Sequence, residues 1–243
     1  MPDPLADARF LATRAAGLVQ RGLLSLRTRG LRASWARLRA QLAPPPRALR
    51  DGLYLPPASP FAPFALPTSG QPLASIVIPV YGQFDHTLAC LRALAAHPPR
   101  APFEVIVVDD GSTDRTPELL PRVEGLRYHR RPANGGFIAA CNDGAGLARG
   151  DCLVLLNNDT VPQPGWLDAL LRTFEEHPGT GLVGAQLLYP DGRLQEAGGV
   201  VFADGSAWNY GRFGDPDDPR HAYVREADYV SGAAIAIPRA LFL

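Results

Sequence analysis

Lysine is absent, and all twenty-four basic side chains of this 243-residue chain are arginine. That bias points to codon composition before function. Cysteine is scarce as well. Cys90, Cys141 and Cys152 are an odd number without paired metal-ligand spacing, which argues against a disulfide framework and a zinc site. They read as small buried apolar residues. The five histidines have no mutual spacing that would build a metal cage. No run of eighteen uncharged apolar residues occurs, and no basic, apolar and small-residue pattern opens the chain, so neither a membrane span nor a cleaved leader is readable. A cytoplasmic address is the expectation. GxxxxGK(S/T) cannot occur in a chain without lysine, which excludes a phosphate loop of the Walker type.

What is there is ordinary globular composition, 46% hydrophobic and 20% charged, which excludes disorder along the whole length. The formal net charge of zero hides an asymmetry. Residues 1–50 hold ten Arg against two Asp, and the remainder holds fourteen Arg against twenty-two acids. Between Asp7 and Leu42 the apolar residues Leu11, Ala15, Leu18, Leu26, Leu31, Trp35 and Leu38 recur at helical steps with arginines between them. This predicts an Arg-rich amphipathic helical segment over residues 1–43, or two helices broken near Gly30. One reading packs it on a partner or another part of a larger polypeptide. The other lays residues 7–42 on an anionic membrane surface as a peripheral contact. Nucleic acid is not expected, because the segment offers no platform of stacking aromatics.

Residues 44–72 carry nine prolines, so regular helix or central strand is excluded there and a linker is expected. Its Tyr54, Phe61 and Phe64 suit an extended strap against the next domain, with a free spacer as the alternative. From residue 73 onward the texture alternates. Strands are predicted at Ser75–Pro79, Phe103–Val108, Gly125–His129 and Cys152–Leu156, and helices at Phe84–His97, Asp114–Val123 and Gly136–Ala148. Strands separated by helices imply an α/β fold with parallel pairing, and ligands of such sheets bind beyond the carboxyl ends of the strands.

Three clusters fall at such ends. Asp109 and Asp110 close a buried strand, where adjacent like charges cost free energy unless a ligand or donor group meets them. A nucleobase imide and a ribose hydroxyl would qualify. Ser112 and Asp114 read as helix caps, and Gly111 as a turn. Next, Asn157-Asn158-Asp159-Thr160 follows an apolar strand. Asp159 supplies one oxygen suited to Mg²⁺ or Mn²⁺, cations that fill their shells with water and phosphate oxygens. An Asx-type turn explains the same residues. Finally, Arg130-Arg131-Pro132-Ala133-Asn134-Gly135-Gly136-Phe137 sets paired glycines and arginines at a helix start, which favours anionic oxygens. A plain Gly-rich turn is the alternative.

Together, in this order, the segments Ile76-Val77-Ile78-Pro79-Val80-Tyr81, Val107-Val108-Asp109-Asp110-Gly111-Ser112, Asn134-Gly135-Gly136-Phe137 with Asn142 downstream, and Leu156-Asn157-Asn158-Asp159-Thr160 resemble the family 2 glycosyltransferases. Tyr189-Pro190-Asp191-Gly192, Gln195-Glu196-Ala197-Gly198-Gly199 and Asp228-Tyr229-Val230-Ser231-Gly232-Ala233 resemble the rhamnosyltransferase-like branch. The resemblance implies a GT-A fold over residues 73–243, with a Rossmann-like, mostly parallel central sheet flanked by helices. It also implies an inverting transfer from a UDP- or dTDP-linked sugar to a polysaccharide, lipid-linked or protein-linked acceptor, on the cytosolic face of a membrane.

By that resemblance Pro79, Tyr81, Asp109 and Asp110 line the nucleoside pocket. Arg131, Asn134, Gly135, Gly136, Asn142 and Asn158 complete the donor set. Asn157 and Asp159 stand at the DXD-type metal motif, with Asn departing from the usual first Asp. Glu196, Trp208 and Asp228 fall on the acceptor side. The family's general base lies in an acidic Glu-Asp motif, and no Glu-Asp pair occurs in these 243 residues. The resemblance therefore places the base beyond Leu243 and reads the chain as C-terminally incomplete. Asp228 is the alternative base, with a structural role favoured. A nucleotide-sugar-binding fragment without turnover is the rival to an active transferase.

Overall fold

A computed structural model describes residues 53–243 together with Gly30–Arg32, Trp35 and Arg39. The chain divides into two compact units, Met1–Ala48 and Leu49–Leu243. In the first, the described residues are helical and exposed, Leu31 and Trp35 among them. Gly30, the expected break, belongs to the helix although its φ is +76°. The remainder of the expected 7–42 helix lies outside the described residues.

In the second unit, four strands run parallel, the apolar β1 (Ala74–Val80), β2 (Phe103–Asp109) and β4 (Cys152–Leu156) and the more polar, half-buried β3 (Leu126–Arg130). Two short strands, β5 (Val183–Gly184) and β10 (Ala234–Pro238), extend the sheet antiparallel, giving the order β3-β2-β1-β4-β10-β5. Every residue of β1, β2 and β4 is buried, as expected of strands covered on both faces.

Alternation sorts those side chains into two cores. Ile76, Ile78, Val80, Val105, Val107 and Val154 face α1 (Phe84–Ala96) and α4 (Trp166–Glu176). Val77, Ile106, Val108, Leu153 and Leu155 face α3 (Phe137–Leu147). The expected helix over 114–123 is shorter, α2 (Thr116–Leu119) followed by a 3-10 turn at Leu120–Arg122, because prolines at 117 and 121 remove backbone donors. α5 (Arg239–Phe242) follows β10 directly.

α3 lies tight on its face of the sheet, because Gly144 has no side chain. A Cβ there would strike Val77 and come within 3.1 Å of Val108. Gly144→Ala is therefore expected to lower stability by about 1–3 kcal/mol through overpacking, read as a fall in the urea midpoint at unchanged slope.

The proline-rich stretch lies along the domain as a strap from Tyr54 onward. Phe61 and Phe64 pack against the larger core. Arg92 of α1 donates to the carbonyls of Ser59 (2.9 Å) and Pro60 (2.8 Å). Leu66 is buried and its amide bonds to Glu124, whose own amide bonds to Phe64. Between β5 and β10 the chain forms two small hairpins, β6 (Leu187–Leu188) with β7 (Leu194–Glu196) and β8 (Gly199–Val201) with β9 (Ala207–Asn209).

Candidate functional site

From β1 the chain steps outward to β2 and β3 on one side and then crosses back to β4 on the other, so the strand order reverses at β1, where a crevice is expected at the carboxyl ends of β1 and β4. Pro79 stands at that end of β1. Asp110 donates its amide to the Val80 carbonyl, so alternation turns the Pro79 nitrogen toward β4. Pairing of β1 with β4 has already ended at Val77 with Leu155. A proline in a central strand is tolerated there because the donor it lacks has no partner to lose. Beyond it, Tyr81 is exposed.

Asp109 and Asp110 are both buried, at 0% and 3% exposure, and the protein itself meets their charge. Asp109 accepts from the Ser112 amide (2.8 Å), from Arg130 (2.6 Å) and from the Tyr128 hydroxyl. Tyr128 and Arg130 stand two apart on β3, beside Val107 and Asp109 in register, so both reach the same carboxylate. Burial and the neighbouring Asp109 push the Tyr128 hydroxyl well above its usual range.

Asp110 accepts from Arg131 and from the amides of Gly135 (2.9 Å) and Gly136 (2.8 Å). Burial alone would raise its carboxyl, but the Gly135 amide, Arg131 and the Gly136 amide outweigh that and hold it below the ordinary range. Arg131 is shared with Asp143 of α3 (2.6 Å). The donors that the sequence suggested for a ligand are thus already engaged by Asp110. Gly136 carries a φ of +87° and Gly135 has no room for a Cβ beside Arg131, which is why two glycines stand here. Asn134 accepts from the Gly136 amide (3.0 Å), while Asn142 is exposed on α3.

Of the two expected caps, Asp114 meets helix starts, accepting the amides of Phe84 and Thr116 (3.0 Å each), whereas Ser112 accepts the Gly82 amide (2.8 Å) in the loop before α1 and caps no helix. Asp114 thereby ties the start of α1 to the start of α2.

At the end of β4, Asn157 donates its amide to Ala233 (2.8 Å), and the Thr160 hydroxyl turns back to the Asn157 carbonyl (2.7 Å). Asn158 donates to Thr87 of α1 (3.0 Å). The turn reading is therefore correct for the backbone, and it leaves Asp159 pointing outward. Asp159 is exposed and takes no hydrogen bond or salt bridge among the described residues.

The free Asp159 carboxylate, with the side-chain carbonyl oxygen of Asn157 two positions before it in the chain, has the chemistry to suit a hard divalent cation that completes its shell with water and ligand oxygens. No group of three or more His, Cys, Asp or Glu placed to hold an ion occurs among the described residues. Burial pushes the thiols up, Cys90 to about 12 and Cys141 and Cys152 to about 11. All three are therefore inert, as read from the sequence.

Among the residues expected toward the acceptor, Glu196 of β7 is 2% exposed and accepts the Ser231 amide (2.6 Å). Burial raises its carboxyl, the Ser231 amide offsetting part of the effect. Asp228 is exposed and accepts the Val201 amide (2.8 Å). Trp208 lies half-buried on β9. Tyr210 is covered by Arg225, 3.8 Å above its ring, and by the edge of His221, so one face is already occupied.

The six-stranded, mostly parallel sheet with polar residues at the carboxyl ends of β2 and β4 is the α/β architecture expected of the GT-A fold. The chain belongs to the family described as "Glycosyl transferase family 2", whose model matches residues 75–220. It is 33% identical over 187 residues to the uncharacterized protein y4gI of Sinorhizobium fredii, covering 72% of this chain and 20% of that one. It is 36% identical over 148 residues to the O-antigen biosynthesis protein RfbC of Myxococcus xanthus, covering 58% and 11%. Among solved structures, a mannosyltransferase from Pyrobaculum calidifontis in complex with GDP-Man and Mn²⁺ aligns at TM-score 0.48 and 19% identity, over 93% of this chain and 54% of that one. The chain thus spans a fifth or less of the length of these two relatives.

Proposed function

We propose that the crevice between β1 and β4 binds the nucleoside diphosphate of a sugar donor together with a divalent cation. The sugar is passed with inversion to a polysaccharide, lipid-linked or protein-linked acceptor. The observation that carries this reading is the exposed Asp159 carboxylate, unengaged among the described residues, at the end of β4. Most other carboxylates around it are satisfied from within. A bound Mg²⁺ or Mn²⁺ would supply Lewis acidity to the leaving diphosphate.

In this reading Asp159 and Asn157 hold the cation, and Pro79 and Tyr81 border the nucleoside. Asp109, Asp110, Arg131, Asn134, Gly135, Gly136, Asn142 and Asn158 form and support the donor wall. Glu196, Trp208 and Asp228 lie toward the acceptor. Membership of family 2 supports the reaction class, and the likeness to RfbC, an O-antigen biosynthesis protein, supports a cell-surface polysaccharide as acceptor. No helix among the described residues is long and apolar enough to cross a membrane, and a peripheral contact through residues 7–42 belongs to the proposal.

A second reading, donor binding without turnover, draws on the acceptor side. There Glu196 is buried against Ser231 and Asp228 is bonded to Val201, leaving neither placed as a free base.

Calorimetric titration with UDP and then dTDP, with Mn²⁺ or with chelator, tests the donor site. We expect Mn²⁺ to tighten binding of one nucleotide, and Asp159→Ala to remove that gain while metal-free affinity stays within about twofold, a difference of about 0.4 kcal/mol. Unchanged Mn²⁺ gain in Asp159→Ala, or no binding of either nucleotide by the folded chain, overturns the reading.

A further inference from the structure

The proline-rich strap lies wholly outside the segment that matches the family model, residues 75–220. It nevertheless reaches the loop that carries Asp159. Gln163 sits four residues past Asp159 and three before Trp166, at the start of α4. Its side chain grips the backbone of Tyr54 at both polar atoms. The Tyr54 amide donates to Oε1 (2.8 Å), and Nε2 donates to the Tyr54 carbonyl (3.0 Å). Nε2 also donates to the Val161 carbonyl within the loop (3.0 Å). An amide side chain that reads both backbone groups of one residue acts as a short stretch of paired strand, and it fixes both partners.

The circuit closes through α1. Thr87 accepts from Asn158 at one end of the loop. Five residues on, Arg92 holds the strap carbonyls of Ser59 and Pro60. The Tyr54 ring meets the imidazole of His97, just past α1, edge to face at 4.4 Å. The loop from Asn157 to Gln163 is thus tied at one end to α1 directly, and at the other to a strap that α1 also holds.

We propose that Gln163 is a positioning residue and that the strap is a working part of the donor site, holding the Asp159 loop in the geometry that accepts a cation with its nucleotide. The inference rests on the reading of Asp159 as a metal ligand. A rigid second layer raises metal affinity by sparing the site the entropy of ordering its ligand loop on binding. Gln163 never touches the ligand, so its effect should appear in the metal-linked part of nucleotide binding and not in the metal-free part.

The test uses the full chain, with whichever of UDP or dTDP shows the larger Mn²⁺ gain. Gln163→Met keeps the length of the side chain and removes all three hydrogen bonds. The expected result is a loss of about tenfold in the Mn²⁺-dependent gain with metal-free affinity unchanged, and faster hydrogen exchange at the amides of residues 157–163. Gln163→Glu keeps an acceptor for the Tyr54 amide and should fall between wild type and Gln163→Met. Should Gln163→Met not fold, Arg92→Ala frees the strap from α1 and is expected to move the Mn²⁺ gain in the same direction.

If Asp159→Ala abolishes the Mn²⁺ gain while the strap variants leave it at the wild-type value, the positioning role is overturned and the metal reading stands. Equal losses with and without Mn²⁺ would show a clamp that serves stability alone, which also overturns it. If Asp159→Ala leaves the gain intact, both ideas fall together.

Discussion

Glu104→Ala is expected to lower the unfolding free energy by about 3 kcal/mol, the low end of what breaking a buried ion pair costs. The carboxylate is 1% exposed at the amino end of β2, on the face that α3 covers. It accepts from the Ser75 hydroxyl (2.7 Å), from Arg127 (2.5 Å), and from the amide (2.8 Å), Nε (3.0 Å) and Nη2 (2.8 Å) of Arg149. Its removal leaves two guanidiniums and a buried hydroxyl without their acceptor. The low end applies because Arg127 and Arg149 keep 37% and 49% of their side-chain surface in water.

The same residue sets a pH dependence. Burial would raise the Glu104 carboxyl, but Ser75, Arg127 and Arg149 together bring it down from 4.5 to about 2. A carboxyl lowered in the folded state contributes stability that is present above the unfolded value and lost as pH falls through the folded one. Urea midpoints of the wild type should therefore fall between about pH 4.5 and 2, and Glu104→Gln should flatten the curve in that window. Parallel curves for wild type and Glu104→Gln would show that this cluster does not carry the acid sensitivity. Because the cluster sits at the opposite end of the sheet from Asp159, nucleotide affinity of the folded variant should not change.

The contrast between that cluster and the donor site shows where sequence reasoning reaches. The strands carrying Ile76–Val80, Val105–Val108 and Leu153–Leu156 were legible as unbroken apolar runs, and those runs placed Asp109, Asp110 and Asp159 at strand ends without any coordinates. Strands of two or three residues, such as Val183–Gly184 and Leu194–Glu196, carry too little periodicity to be read. Side-chain partnership was less visible still. Asp109 meets Tyr128 and Arg130 only because β3 pairs with β2 in one register. The cue was available in the alternation of Tyr128 and Arg130, but the register was not. Asp143 reaches Arg131 from across the loop, and Gln163 lies 109 residues from Tyr54, distances over which no local pattern operates. The sequence argument that two adjacent buried carboxylates require donors was sound. What it lacked was that the protein provides them.

That internal supply makes Asp110→Ala the most damaging substitution expected at the donor site. The carboxylate joins Arg131, Gly135 and Gly136 at a single point, so it holds the loop that leads into α3. Hydrogen bonds to a charged group contribute about 1.5–3 kcal/mol each, though not additively. Without the carboxylate, Arg131 retains only Asp143, and the two glycine amides turn to water with the backbone freedom that glycine allows. Stability should fall by about 2 kcal/mol, and nucleotide affinity by about 100-fold, or about 2.8 kcal/mol, with and without Mn²⁺ alike.

Loss in both conditions separates this residue from Asp159, whose replacement removes only the metal-linked gain. Asp110→Asn should be nearly as harmful. Its amide nitrogen must face at least one of three donors, whichever way the side chain turns. Titration with the nucleotide that binds wild type, beside urea unfolding of the same samples, decides the matter. A variant that loses stability yet binds as wild type would show that the loop is dispensable for the donor, and the wall of the pocket would then have to be sought at Tyr81 and the exposed start of α3.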